Sequence, residues 1–96
     1  MTTTGRYRLL QADYDAVAAD GEKRGDRDAL DALRHRAPFS DWPGTDHATE
    51  QALACLRRLG VDVDAIDSAA KARAIDGWVT GYRAAYGVTY YPEDEL

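Results

Sequence analysis

Two histidines, His35 and His47, flank a stretch that also carries Asp41, Asp46 and Glu50. These are the residue types of a two-histidine, one-carboxylate metal centre able to activate a water for hydrolysis. Spacing argues against that chemistry. Metal ligands pair at fixed helical or loop intervals, whereas these histidines lie twelve residues apart and only His47 and Glu50 are one helical turn from each other. The single cysteine, Cys55, stands between Ala54 and Leu56 and reads as a small packing residue, because a nucleophilic thiol needs a neighbouring base or cation to lower its pKa. Neither Ser40 nor Ser68 has the flanking glycines of a nucleophile elbow. No glycine-rich loop leads into Lys and Ser/Thr as phosphate binding requires. Acid pairs such as Asp13 with Asp15 read as helix-face residues, and no segment has the acid spacing, central glycine and closing Glu of a calcium loop. The expectation is a non-enzymatic chain with no cofactor and no metal site.

Binding is the better-supplied chemistry. Phe39 and Trp42 lie in a segment rich in turn formers, where they either fold back over the helices as a plug or stand out as anchors for a partner. Tyr90 and Tyr91 follow near the C-terminus, with Glu93, Asp94 and Glu95 behind them after Pro92. Residues 61–96 hold seven acids against three bases, while residues 1–36 hold seven of each. A mechanism follows from these types: Phe39, Trp42, Tyr90 and Tyr91 supply apolar contact, and Asp62, Asp64, Glu93, Asp94 and Glu95 engage Arg or Lys of a basic protein surface.

The elements that must position these groups read as helices. Tyr7, Leu10, Tyr14, Val17 and Ala18 recur at spacings of three and four, which predicts a first helix over about 6–20. Gly21 to Arg27 carries two glycines and no apolar side chain, so it is either a loop or a solvated stretch of one long helix; a break is favoured, with Asp26 capping a second helix over 26–37 that Pro38 stops. The aromatic loop spans 38–45. Asp46 is placed to cap a third helix over 46–60, closed by Gly60 with Val61 making the contact that follows such a cap. Asp64 is placed to cap a fourth helix over 64–87, ended by Gly87. On that helix Ala72, Ile75, Trp78, Val79, Tyr82 and Tyr86 share one arc, and Gly77, Gly81 and Ala85 belong to an adjacent stripe of small residues. A helical glycine costs about 1 kcal/mol relative to alanine, so this stripe predicts that another backbone approaches closely. That backbone belongs either to an internal helix or to a second copy or foreign partner, a second copy making Gly77, Gly81 and Ala85 a dimer face. An extended strap and acidic tail over 88–96 complete the expected fold, an all-α bundle of three to four helices forming one domain over 1–96.

Composition bounds the partner. The chain has 96 residues, with 12 basic and 17 acidic side chains and a net charge of −5, the wrong sign for a sequence-independent nucleic-acid binder. Direct nucleic-acid contact is therefore not expected, although Arg34, Arg36, Arg57 and Arg58 form local basic spots. No apolar run is long enough for a membrane helix, and residues 1–6 lack the apolar stretch of a signal peptide, so a cytoplasmic protein is expected. Leu, Ile, Val and Phe together number only 16. Such a thin aliphatic core gives weight to further burial against a partner.

The segment Ile75-Asp76-Gly77-Trp78-Val79-Thr80-Gly81-Tyr82-Arg83-Ala84-Ala85-Tyr86 is similar to closing helices of small orphan proteins from phages and mobile elements. In size, charge and lack of catalytic motifs the chain resembles the short acidic inhibitors of that group, the anti-CRISPR proteins among them. The resemblance implies stoichiometric inhibition of a nucleic-acid-binding complex by covering its surface. A self-associating structural or regulatory protein is the rival expectation.

Overall fold

Residues 6–91 are described by the structure, a computed structural model. Asp13, Val17, Gly21, Gly25 and Ala29, four residues apart, are all buried and all lie in one uninterrupted helix, α1 (Gln11–Arg34). The break expected between residues 20 and 26 is absent. Gly21 and Gly25 do not interrupt the helix because they are its closest packing points: a Cβ on Gly21 would stand 2.1 Å from the Trp78 carbonyl oxygen, and one on Gly25 would stand 2.2 Å from that of Tyr82. Asp26, expected as a cap, lies inside the helix and accepts a hydrogen bond from the Thr89 hydroxyl.

Two further helices follow, α2 (Thr45–Arg58) and α3 (Ser68–Tyr90), giving an all-α bundle of three helices with no strand among the described residues. The helices α1 and α3 run parallel, since Gly21 meets Trp78, Gly25 meets Tyr82 and Ala37 meets Tyr90. The intervening α2 runs back between them, placing Cys55 beside Ala16. Being short, α2 covers only the lower half of the long pair. The chain of residues 35–44 covers the upper half, which makes the bundle elongated at 55 × 23 × 21 Å.

Local chemistry explains the ends. The cap of α3 is Asp67, whose carboxylate accepts the Ala70 N–H at 2.9 Å, and not Asp64. Likewise α2 starts after Gly44, with Asp46 in its first turn where a negative charge suits the helix dipole. Its exit follows the expected glycine cap: Gly60 is left-handed at φ +86°, Val61 N–H bonds Leu56 O at 3.0 Å and Gly60 N–H bonds Arg57 O at 3.0 Å. At the end of α1 the same pattern of bonds, Ala37 to Ala32 and Arg36 to Leu33, forces Arg36 to φ +56°. A left-handed non-glycine residue costs roughly 1–2 kcal/mol, so Arg36→Gly is expected to raise stability by about 1 kcal/mol in chemical denaturation.

The expected extended strap does not form within the described residues. Val88, Thr89 and Tyr90 continue α3 past Gly87, held by the Tyr90 hydroxyl donating to Ala37 O at 2.8 Å and by the Thr89 bond to Asp26. Glu93, Asp94 and Glu95 lie outside the described residues.

At the other end Arg6 ties three segments together. Its guanidinium grips the buried Asp13 carboxylate through two bonds of 2.8 Å and reaches Leu59 O at 3.1 Å. Its backbone pairs with Gly60 and Asp62. The Arg6 fork holds the Asp13 carboxyl below its ordinary pKa, helped by the Leu10 N–H and opposed by desolvation. A carboxyl depressed in the folded state contributes stability above its unfolded pKa that is lost as pH falls through the folded value. Asp13→Asn is therefore expected to lower the melting temperature clearly at pH 7, with the gap to wild type narrowing as pH falls and the wild-type carboxyl takes up its proton.

Candidate partner-binding surface

Trp78, Tyr82, Tyr86 and Tyr90 recur every four residues along α3 and form a ladder of rings with neighbouring centroids 5.4, 6.0 and 5.9 Å apart. Buried aromatic rings with polar tips need partners for those tips, and each has one. Trp78 Nε1 donates to Asp20 at 2.9 Å, Tyr82 Oη to Asp28 at 2.7 Å and Tyr90 Oη to Ala37 O, while Tyr86 Oη accepts the Ser40 N–H at 3.3 Å. Burial, and next the bond to Asp28, raise the Tyr82 phenol pKa far above its ordinary value. The ladder is a structural spine that fixes α1 and the loop to α3. Tyr90, expected to be a contact residue, belongs to this spine.

The loop divides its two rings between the two readings that the sequence leaves open. Phe39 packs edge-on against Tyr86 and Tyr90, with centroids 5.3 Å away in both cases, and stacks on Tyr91 at 5.2 Å. It closes the top of the spine, yet keeps an exposed edge, and Tyr91 beside it is 65% exposed. Trp42 stands apart. It is 55% exposed and walls a shallow apolar groove with Ala72, Ile75 and Val79 of α3. The loop is pinned next to it by the ion pair of Arg83 Nε with Asp41 at 3.2 Å.

The acidic residues are not gathered with the rings. Asp62 and Asp64 lie in the α2–α3 connection, where the Asp62 carboxylate accepts the Asp64 N–H at 3.1 Å in a local turn. They precede the start of α3, whereas Tyr90 and Tyr91 are at its end. A helix of 23 residues separates the two groups by about 33 Å. The single ring-bearing anionic surface drawn from the sequence is thus split, leaving Phe39 and Tyr91 at one end, Asp62 and Asp64 at the other, and Trp42 between.

The small-residue stripe is also divided. Gly81 is buried against α1, where a Cβ would stand 2.4 Å from Ala18 O, so the close backbone it implies is internal. Gly77 faces nothing within 4 Å and Ala85 is half-buried. A dimer face that includes Gly81 is therefore corrected: α1 already occupies it. Nothing in the sequence pairs Gly21 and Gly25 with α3, because glycines amid charged residues carry the signature of a turn.

The remaining candidates have structural places. The His47 ring packs edge-on to Trp78 at 6.0 Å, and His35 Nδ1 lies 2.9 Å from Asp31 O at the end of α1. Burial pushes the Cys55 thiol pKa up, with Asp20 adding to the effect, which disfavours the thiolate. Beside α2 a groove of about 560 Å³ is walled by Lys23, Arg24 and Arg27 together with Asp20 and Asp31, so its charges are mixed. Arg58 pairs with Asp20 at 3.3 Å and Arg34 with Asp31 at 2.9 Å, which neutralises part of the basic spots seen in the sequence. No family model, curated protein or solved structure matches this chain.

Proposed function

We propose that this protein works by stoichiometric binding, occupying the surface of a protein partner and inhibiting or regulating it by steric and electrostatic occlusion. One observation carries the reading: Tyr91 stacks on Phe39 at 5.2 Å yet remains 65% exposed, so an ordered aromatic platform faces solvent at the end of the spine. Rigid, exposed aromatic rings are favoured anchors because they bury much apolar area at little conformational cost. In sequence the acids Glu93, Asp94 and Glu95 follow Tyr91 after Pro92, which suits a partner whose basic residues otherwise meet nucleic acid. Such occlusion would make the chain an anti-CRISPR-type inhibitor of a nucleic-acid-binding complex. Asp62 and Asp64 are not part of the proposed platform.

The test is co-purification from native host extract with wild type, with Tyr91→Ala, and with Glu93→Lys, Asp94→Lys and Glu95→Lys combined. A partner retained by wild type is expected to bind Tyr91→Ala about 30-fold more weakly, the effect of losing a strong anchor. The charge-reversed form is expected to lose that partner too. Equal retention by all three proteins would refute the platform.

A further inference from the structure

The exposed side of α3 has a charge pattern that the single chain uses only in part. At 100° per residue, Ala72, Asp76, Val79, Thr80, Arg83 and Gly87 fall within an arc of about 100°, and every one of them is exposed or half-buried. The order is symmetric about the bond between Val79 and Thr80. Asp76 lies three residues before Val79 and Arg83 three after Thr80, with the small residues Ala72 and Gly87 four positions further out on each side.

Asp76 takes part in no ion pair among the described residues. Arg83 gives Nε to Asp41, and a guanidinium has further N–H donors for a second carboxylate. Gly87 sits inside the helix with nothing within 4 Å of the position its Cβ would take, so packing within the chain does not call for it. The 55% exposed Trp42 flanks the same face and forms an apolar wall with Ile75 and Val79.

We infer that this face binds a second copy of the chain, the two α3 helices crossing antiparallel about a two-fold axis near Val79 and Thr80. The argument is charge self-complementarity. In that arrangement Asp76 of each copy faces Arg83 of the other, Val79 meets Thr80, and Ala72 meets Gly87, where small side chains let the helices approach. Two-fold symmetry satisfies both ion pairs at once and closes the assembly at two copies. Each Trp42 then covers the flank of the opposing helix. The inference is independent of the Phe39–Tyr91 platform, which lies at the end of α3 and remains open in the dimer. The face is small by the standard of stable interfaces, so a dissociation constant on the order of 10 µM is expected.

Sedimentation velocity from about 1 µM to about 1 mM spans that range. Wild type is compared with Asp76→Arg, with Arg83→Asp, and with an equimolar mixture of the two variants, folding being checked by helicity. Each reversal alone sets like charges against each other and is expected to weaken self-association at least about tenfold. The mixture restores opposite charges at both contacts and is expected to re-form a dimer of wild-type strength. A wild type that stays monomeric throughout, single reversals that dimerise as well as wild type, or a mixture that fails to associate would each overturn the inference.

Discussion

Gly21→Ala and Gly25→Ala are each expected to destabilise the protein by about 3 kcal/mol, against the usual rule that alanine improves a helix by about 1 kcal/mol over glycine. The added methyl would stand 2.1 or 2.2 Å from a backbone carbonyl oxygen of α3. No flexible side chain is there to yield, so the helices themselves must part. Because small domains are stable by only about 5–15 kcal/mol, one substitution removes a large share of the total and the double variant should not fold. Gly77→Ala provides the contrast. Its Cβ meets nothing within 4 Å, so it should follow helix propensity and gain about 1 kcal/mol. Urea denaturation of the three variants checks both directions together.

The two tryptophans are expected to differ as sharply. Trp78 is 0% exposed, lies at the foot of the ring ladder and bonds Asp20, so Trp78→Ala should cost about 3–5 kcal/mol. Trp42 is 55% exposed, and Trp42→Ala should cost less than about 1 kcal/mol while weakening whatever contact covers that face. Thermal denaturation separates them. Equal losses at the two positions would mean that Trp42 belongs to the core, and the self-association inference would lose its apolar wall.

These contrasts show how unevenly the fold can be read from the chain. Helical class, the glycine exit after Leu59 and the central place of α3 follow from spacing and local cap chemistry, and Gly81 announced a close backbone because it lies in a stripe of small residues beside the apolar arc of its helix. Gly21 and Gly25 do the same work from the other side, but Glu22, Lys23, Arg24 and Asp26 around them erase the apolar stripe. Only the carbonyls of Trp78 and Tyr82, nearly sixty positions away in sequence, reveal why those glycines are helical. Val88 and Thr89 have side chains suited to an extended strand. What keeps them helical is a hydroxyl contact to Asp26 and the anchoring of Tyr90 on Ala37, both long-range.

The candidate surface was legible in its residue types and not in its arrangement. Phe39 and Trp42 are three positions apart, yet one closes the ring spine and the other walls a groove, because the loop descends along α3 and presents successive residues to different neighbours. Asp62, Asp64 and the C-terminal acids suggested one anionic patch, and the length of α3 keeps Asp62 and Asp64 far from Tyr91. A parallel α1–α3 pair with a short helix between them also leaves its upper half to be covered by loop, which is what brings Phe39 onto Tyr91.

Hydroxyl-radical labelling of the protein, free and bound to its captured partner, tests the central claim most directly. Tyr91 and the edge of Phe39 are expected to be labelled in the free protein and shielded in the complex, with Trp78 shielded in both. Labelling of Tyr91 and Phe39 that is unchanged on binding would contradict the claim that this platform meets the partner.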